Sequence, residues 1–411
     1  MLKLVLGGSG SGKTTLLYSR IKARAEQGRR SILLVPEQFT SSTEGRIYRE
    51  LGDALSGMVE SYSFTSLAEH ILAVEGGAAV QTLTDAGRAV LVRRALEELQ
   101  DNVHYYYRHR RSAAFCQMAA ETIDELKSAG LSGQQLQELA RDCGTESAKL
   151  GELALIFQGY ESLLAGTGMD PADRLELAAD RLEAALARDE LPDFLREREV
   201  FIDEFDTFNA PKKRLMGAML AALPAVTVAL CEDGAPMQPG DLELFSGAKQ
   251  VAAQLRQLAR KNGAQVAAPE LLRRDLRHKD APGLAALTEL LETGSCTPPE
   301  SAPELRLFAA ASREEEARCA AAAIRRLMRQ GVRCGKIAVV CRDISLYRAA
   351  VRYEFRMAEI PLYCDEPTTP EFSAPATAVR ALLALLRGAD MTEQLTVLAK
   401  TGLCDLTEQE V

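Results

Sequence analysis

The amino-acid sequence predicts an α/β fold in which a parallel sheet is flanked by helices. Short aliphatic runs recur along the first 230 residues, and segments with helical periodicity separate them. A wholly helical stretch interrupts this alternation, and a second alternating pattern begins near residue 305. Strands that alternate with helices are typical of parallel sheets covered by helices on both faces. A glycine-rich loop directly after the first predicted strand, described below, further restricts the fold class.

Five segments of the first part are rich in aliphatic or β-branched residues and are predicted to be strands. They are Leu2–Leu6, Ile32–Val35, Val59–Tyr62, Val200–Ile202 and Val226–Leu230. Residues 86–195 show almost only helical periodicity, and the clearest predicted helices there are Arg88–Leu99, Ala113–Ser128 and Ala148–Leu164. Since this block lies between two strands of one sheet, it is predicted to be an inserted helical subdomain.

A segment rich in Pro, Ser and Thr, residues 293–304, is the predicted linker. The predicted strands after it are Leu305–Ala309, Ile337–Cys341 and Ile360–Tyr363, and the predicted helices are Glu314–Arg329, Leu346–Met357 and Ala376–Leu386. We therefore expect a first α/β domain from residues 1–85 and 196–292, the insertion 86–195, the linker, and a second α/β domain in 305–411. Because this second pattern stops at Val411 without being completed, we expect a fragment of a longer protein.

Composition and charge limit the classes of protein that fit the sequence. The 411 residues carry 49 Lys and Arg against 58 Asp and Glu, a formal net charge of −9. This excludes a uniformly basic nucleic-acid coat but leaves room for a local basic groove. The best apolar run, Met216–Cys231, contains Pro224 and is shorter than the roughly 20 residues of a membrane-spanning helix. Nine cysteines without metal-binding spacing and no predicted signal peptide indicate reduced thiols in a cytoplasmic protein.

The glycine-rich loop is the most informative motif. Residues Gly7–Thr14 match G-x-x-x-x-G-K-[ST] in full, between a predicted strand and a predicted helix. Backbone N–H groups of such a loop surround phosphates, the lysine reaches the β- and γ-phosphates, and the hydroxyl after it binds Mg²⁺. An accidental glycine-rich turn is the alternative. The predicted nucleotide-binding residues are Gly7, Gly10, Ser11, Gly12, Lys13, Thr14 and Thr15.

A second acidic motif follows the strand that contains Val200–Ile202. Asp203 and Glu204 stand directly after this strand, where the carboxyl end of a parallel strand faces the phosphates. Asp203 is the predicted Mg²⁺ ligand together with Thr14, and Glu204 is predicted to orient or deprotonate the attacking water. A solvated acidic turn is the alternative. Lys13 and Glu204 are thus the predicted catalytic pair of a P-loop NTPase.

With these motifs in place, the sequence resembles the superfamily 1A (UvrD/RecB-like) helicase framework, and within it the AddB subunits of bacterial AddAB helicase–nucleases. The segments that carry the resemblance are Val35–Thr40 (motif Ia), Ser63–Leu67 (motif Ib), Asp203–Phe205 (motif II) and the stretches Arg313–Glu316, Ile337–Arg342 and Ile360–Tyr363. The resemblance implies a P-loop (RecA-like) first domain, a helical 1B-like insertion and an incomplete 2A-like second domain. It also implies ATP and Mg²⁺ as cofactors, and DNA and an AddA-like subunit as partners in double-strand-break processing. The family's nuclease domain lies C-terminal to these residues.

The sequence departs from the pattern of active motors at four places. Only six residues precede Gly7, so the glutamine motif that reads adenine is missing. Motif II reads D-E-F-D-T from Asp203 instead of D-E-x-Q-D, and the motif III region, Leu230–Gly234, lacks G-D-x-x-Q. The sequence shows no N-Y-R signature with its γ-phosphate arginine. The resemblance therefore implies ATP binding with a degenerate motor; a fully active superfamily 1 helicase and a small-molecule P-loop kinase are the alternatives.

DNA contacts are predicted in two places. The first is the pair of motif segments after the second and third strands, where aromatic and hydroxyl side chains suit a single strand. The second is a run of tyrosines and arginines in the helical insertion, the best basic and aromatic cluster of the chain. In both places burial of the aromatic rings in a core is the alternative. The predicted DNA-binding residues are Gln38, Phe39, Thr40, Phe64, Thr65, Ser66, Arg108, Arg110 and Arg111.

Overall fold

One parallel sheet organises the first part of the chain in the computed structural model, which describes residues 1–77, 81–109, 111–236, 244–364 and 373–404. Its strands are β1 (Leu2–Gly7), β2 (Ser31–Leu34), β3 (Val59–Tyr62), β4 (Glu199–Ile202), β5 (Ala225–Cys231) and β6 (Glu270–Leu272). Their spatial order is β3-β2-β4-β5-β1-β6. The first five confirm the predicted strands. Strand β6 was not predicted, because three residues give no alternation long enough to recognise.

Helices fill the rest of the two units into which the chain divides, Met1–Leu305 and Arg306–Val411. The first unit contains α1 (Lys13–Glu26), α2 (Thr40–Leu51), α3 (Asp53–Ser56), α4 (Phe64–Glu75), α5 (Asp85–Glu98), α6 (Ala113–Ser128), α7 (Gly133–Arg141), α8 (Ser147–Leu164), α9 (Pro171–Ala187), α10 (Ala210–Ala222), α11 (Ser246–Lys261) and α12 (Pro282–Thr293). The second contains α13 (Arg313–Arg329), α14 (Ile344–Met357), α15 (Ala374–Leu386) and α16 (Met391–Lys400). Among the described residues, none of these helices is both long and apolar enough to cross a bilayer.

Both faces of the sheet are buried, which explains why its strands are continuous aliphatic runs. Alternate residues of a strand point to opposite faces. In β4, Val200 and Ile202 join the core that α4, α9, α10 and α11 complete, while Phe201 joins the core under α1 and α2. All three side chains are fully buried.

The sheet order brings the loops after β1 and β4 to the same edge. β5 lies between these two strands and pairs with both, Gly7 opposite Cys231 on one side and Ile202 opposite Val228 on the other. Because all strands run parallel, their carboxyl ends meet at one edge of the sheet. β6 continues the sheet on the far side of β1, where Leu272 pairs with Gly7. The segments that follow β4 and β6 therefore approach the glycine-rich loop from opposite sides.

Helices α5–α8 have a hydrophobic core of their own. Its largest buried side chains are Phe157 and Tyr160 of α8, which pack among aliphatic residues of α5 and α6. The Tyr160 hydroxyl donates a hydrogen bond of 2.8 Å to the buried Asp170 carboxylate. Helix α9 packs elsewhere, since Leu175 and Leu182 belong to the core beneath the sheet.

The second unit is organised around α13 and α14. These helices pack through Ala321, Ile324 and Phe355, and an ion pair of 3.0 Å joins Arg318 to Glu354. The predicted strands Leu305–Ala309, Ile337–Cys341 and Ile360–Tyr363 are wrong, since none of these described residues belongs to a strand. Their aliphatic composition suits a strand buried on both faces. A strand, however, also needs a neighbouring strand to pair its N–H and C=O groups, and the described part of this unit provides none.

Candidate functional site

The loop between β1 and α1 has, at two positions, a backbone conformation that residues with a side chain rarely adopt. Gly10 and Gly12 have φ angles of 78° and 93°, in the left-handed region. A Cβ on Gly10 would also lie 2.7 Å from Cβ of Arg277 and 2.8 Å from a carboxylate oxygen of Asp275. Gly12 is the N-cap of α1 and provides no side chain for the free N–H groups of the first helical turn. These N–H groups therefore remain available to an anion.

Lys13 directs its ammonium group back over this loop. Nζ donates hydrogen bonds of 2.7 Å to the carbonyl oxygens of both Gly7 and Gly8. Burial lowers the pKa of Lys13, and the nearby acidic groups, among them Asp203 and Glu292, oppose this shift. The loop thus holds a half-buried cation beside the free N–H groups of α1, an arrangement that favours a phosphate.

Asp203 and Glu204 follow β4 at the same edge of the sheet. Asp203 is only 5% exposed, and its backbone N–H donates a hydrogen bond of 3.1 Å to the Leu34 carbonyl. Burial raises the pKa of Asp203, while the neighbouring Thr14 hydroxyl acts in the opposite direction. Glu204 has a φ of 65°, which is unusual for a residue with a side chain and is typical of strained functional positions. Burial, followed by the charge of Asp203, raises the pKa of Glu204 as well.

These groups line a common cavity of about 470 Å³. Of the predicted nucleotide-binding and catalytic residues, the structure brings Gly10, Gly12, Lys13, Thr14, Thr15, Asp203 and Glu204 together around it. Gly7 and Ser11 lie outside its lining. Gly7 is the last residue of β1, and Ser11 is a buried residue whose hydroxyl has no hydrogen-bond partner among the described residues. Asp203 is buried at this edge of the sheet, whereas the side chain of Glu204 is exposed to the cavity and to solvent.

The cavity also contains two arginines that the sequence analysis missed. Arg277 follows β6, and its guanidinium donates to the Ser9 hydroxyl at 3.3 Å. The N–H of the preceding Leu276 donates to the Gly10 carbonyl at 3.0 Å, which fixes this segment against the loop. Arg46 of α2 reaches the cavity from the other side. Arg277 does not belong to an N-Y-R signature, but the basic stretch R-R-D-L-R at 273–277 could have indicated an anion-binding segment. The residues around Arg46 in the sequence give no such indication.

The residues present are compatible with a magnesium ion. The Thr14 hydroxyl lies beside the Asp203 carboxylate, and Mg²⁺ commonly uses one or two protein oxygens and completes its octahedron with phosphate and water oxygens. Within the described residues there is no group of three or more His, Cys, Asp or Glu side chains that would hold a metal by itself.

The motif segments predicted to bind DNA lie next to this cavity. Gln38 and Phe39 form a short 3₁₀ turn before α2 and line a second cavity of about 570 Å³. The Thr65 hydroxyl donates a hydrogen bond of 2.6 Å to Glu37, so the two segments are joined. Thr40, the first residue of α2, is half-buried, and Ser66 belongs to the capping box of α4.

The structure contradicts the predicted DNA contact of Phe64. Its side chain is 1% exposed and packs edge-to-face against Phe205 and Phe208, with ring centroids 5.2 and 5.9 Å away. A ring enclosed in this way has no free face for a base. Phe39 is only half-buried and stays a predicted contact.

The tyrosine and arginine run is held by a single carboxylate. Glu152 of α8 accepts hydrogen bonds from the backbone N–H groups of His104, Tyr105 and Tyr106 at 2.7–3.1 Å. Arg108 and Arg111 have exposed side chains, whereas Arg110 lies outside the described residues. The loop therefore presents at least two cations on a fixed backbone.

Comparison with known proteins identifies the family to which this chain is similar. The model of the family described as "ADDB, N-terminal" matches residues 4–288. The B subunit of the ATP-dependent helicase/deoxyribonuclease of Desulforudis audaxviator is 34% identical over 381 residues, which cover 89% of this chain and 32% of that protein. The proteins of the same name from Moorella thermoacetica and Symbiobacterium thermophilum are 33% and 32% identical over 89% and 93% of this chain. The chain spans about a third of the length of these relatives.

Proposed function

Since the chain belongs to the ADDB N-terminal family, we propose that it is the ATP- and DNA-binding part of an AddB-type subunit in a helicase–nuclease that processes DNA double-strand breaks. The observation that carries this proposal is the cavity in which Lys13 and Thr14 face Asp203 and Glu204. A loop cation and free helix N–H groups on one side, with two carboxylates on the other, suit a nucleoside triphosphate with its magnesium ion.

The chemistry of the site follows from these positions. The N–H groups at the start of α1 and the Lys13 ammonium bind the phosphates, which replace the Gly7 and Gly8 carbonyls as partners of Nζ. A magnesium ion held by Thr14 and Asp203 would neutralise charge on the phosphate oxygens. Glu204 orients the attacking water and accepts its proton. Arg277 approaches the phosphates from the β6 side and takes the role that the arginine of an N-Y-R signature has in active motors.

The domain assignment is part of this proposal. Residues 1–85 and 196–292 form a P-loop, RecA-like 1A domain, 86–195 a 1B-like insertion, 293–304 the linker and 305–411 the start of a 2A-like domain, of which the described residues contain the helices α13–α16 but no strand. The separate core of α5–α8 supports the insertion, although its last helix, α9, packs beneath the sheet. The relatives are named as one subunit of a helicase/deoxyribonuclease, which supports an AddA-like partner.

A variant of Glu204 can distinguish the binding of ATP from its hydrolysis. We expect Glu204→Gln to bind ATP like the parent chain and to lose any hydrolysis by about a hundredfold or more, because an amide cannot accept the proton of water. Phosphate release with single-stranded DNA present measures this. Glu44→Gln changes an exposed glutamate of α2 and is the matched control. Hydrolysis at the parental rate in Glu204→Gln would show that another group activates the water.

DNA binding is tested by its dependence on salt. Fluorescence anisotropy of labelled single-stranded DNA is measured over a salt series, with and without a non-hydrolysable ATP analogue. We expect Arg108→Ala with Arg111→Ala to reduce the slope of log affinity against log salt by about two, since each phosphate contact contributes roughly one. The control replaces Arg93 and Arg94, which are already paired with glutamates of α5 at 3.1 Å. If both double variants give the same slope of log affinity against log salt, Arg108 and Arg111 do not contact DNA.

Arg277 lines the cavity, and this observation favours a second candidate function, that of an active superfamily 1 helicase. The altered motifs II and III oppose it. Strand unwinding by the full-length protein that Lys13→Ala abolishes would establish this activity, whereas unwinding only by a partner chain would support the degenerate motor.

A further inference from the structure

Arg46 is held in a fixed place above the first turns of α1. Its guanidinium carbon lies 4.7 Å from the ring centroid of Tyr18, a cation–π distance. Tyr18 is 5% exposed and lies four residues after Thr14, so both side chains share one face of α1. The guanidinium therefore lies over Tyr18 rather than free in solvent, and it lines the same cavities as Thr14.

Arg46 also lies where the two cavities of this edge meet. The cavity of about 470 Å³ contains the glycine-rich loop, and the cavity of about 570 Å³ contains Gln38 and Phe39. The residues that line both are Thr14, Arg46, Asp203, Glu204 and Asp206. Asp203 and Glu204 are the groups proposed to bind the magnesium ion and the attacking water. The terminal phosphate would lie between them and Lys13, and Arg46 borders this space.

The guanidinium keeps its hydrogen-bonding capacity for a ligand. Within the described part of the chain, Arg46 forms neither an ion pair within 4.0 Å nor a side-chain hydrogen bond, although its charge opposes the rise in pKa that burial causes at both Asp203 and Glu204. A planar guanidinium offers five N–H donors that match the oxygens of a phosphate. Stacking on Tyr18 fixes the orientation of these donors in advance, so that less entropy is lost when they bind.

We propose that Arg46 contacts the terminal phosphate of the bound nucleoside triphosphate, on the side opposite Arg277, and so makes the site discriminate a triphosphate from a diphosphate. This inference rests on the proposed nucleotide site and adds a residue to it. A lysine at this position would supply charge without the planar fork, and it would not stack on the tyrosine in the same way.

The test compares two nucleotides in the 411-residue chain. Affinities for ATPγS and ADP are measured with Mg²⁺ by calorimetry for the parent chain, Arg46→Ala, Arg46→Lys and Arg29→Ala. We expect Arg46→Ala to weaken ATPγS binding about tenfold or more while ADP binding changes less than about twofold, as for loss of a charge-assisted hydrogen bond. Arg46→Lys should restore only part of the difference. Arg29→Ala is the control, because Arg29 is exposed before β2 and lines neither cavity, and it should match the parent.

Three outcomes separate the inference from the function on which it rests. If Arg46→Ala weakens both nucleotides equally, or leaves their ratio as in the parent, the inference is wrong while the nucleotide site stands. If the parent chain binds neither nucleotide, the proposed function is itself overturned. Thermal melting by circular dichroism accompanies each variant, and should Arg46→Ala not fold, the ratio in Arg46→Lys decides between a phosphate contact and a cover for Tyr18.

Discussion

Replacing Lys13 by alanine is expected to weaken ATP binding by about a hundredfold or more while the fold is retained. The ammonium group is half-buried, and among the described residues it donates to two carbonyls of its own loop. In the complex it would make charge-assisted contacts with two phosphates, and each such hydrogen bond contributes roughly 1.5–3 kcal/mol. Calorimetric titration of the chain with ATPγS and Mg²⁺ measures the loss directly.

Lys22→Ala is the matched control for this variant. Lys22 lies on the same helix, α1, and its side chain is exposed, so the change in net charge is identical but remote from the cavity. We expect parental affinity for Lys22→Ala and unchanged far-UV circular dichroism for both variants. An unchanged ATP affinity in Lys13→Ala would remove the glycine-rich loop as the phosphate site, whatever the family relationship.

The first sheet was predictable because its strands are buried on both faces. A run such as Val200–Ile202 has no polar position, and in the structure its residues alternate between two hydrophobic cores. The same rule failed in the second unit. Ile337–Cys341 has an equally apolar composition, yet Val340 is 90% exposed. Composition reports that a segment suits a buried strand, but it does not report whether a neighbouring strand is there to pair with it.

The site was predictable only where it is local in sequence. The glycine-rich loop and the Asp203–Glu204 pair are short motifs whose order within strand, loop and helix reveals their role. Arg277 and Arg46 reach the cavity through tertiary structure, the first because β6 pairs beside β1 and the second because α2 packs over α1. A sequence gives no direct sign of such convergence. Single residues brought in by topology must therefore be found in the structure.

The two phenylalanines Phe64 and Phe39 also show that the sequence alone does not decide which side chains are buried. Both follow a strand, both belong to motif segments, and the sequence left each one open between a DNA contact and the core. In the structure Phe64 is enclosed by Phe205 and Phe208, whereas Phe39 is half-buried at the rim of the second cavity. Phe205 follows Glu204 directly and lines the first cavity, so the ring of Phe64 supports the backbone that carries Glu204.

Phe64→Ala is accordingly expected to destabilise the first unit by about 3–5 kcal/mol, the usual cost of removing a fully buried phenylalanine ring. Domains of this kind have a total stability of roughly 5–15 kcal/mol, so the change removes a large share of it. Urea unfolding followed by far-UV circular dichroism measures the shift of the midpoint. Phe39→Ala is the control, and we expect it to cost less than about 2 kcal/mol because its ring is already partly in solvent.

The two interpretations of Phe64 predict opposite combinations of stability and DNA affinity. Loss of a core ring lowers the unfolding midpoint strongly, and DNA binding of the remaining folded chain stays near that of the parent. Loss of a base-stacking ring would do the reverse, with a parental midpoint and an affinity for single-stranded DNA reduced by about 1–3 kcal/mol per lost stack. Only that second result would return Phe64 to the DNA interface. It would also require the ring to lie away from Phe205 and Phe208, and in that case the same variant would leave ATP binding at the adjoining cavity unchanged.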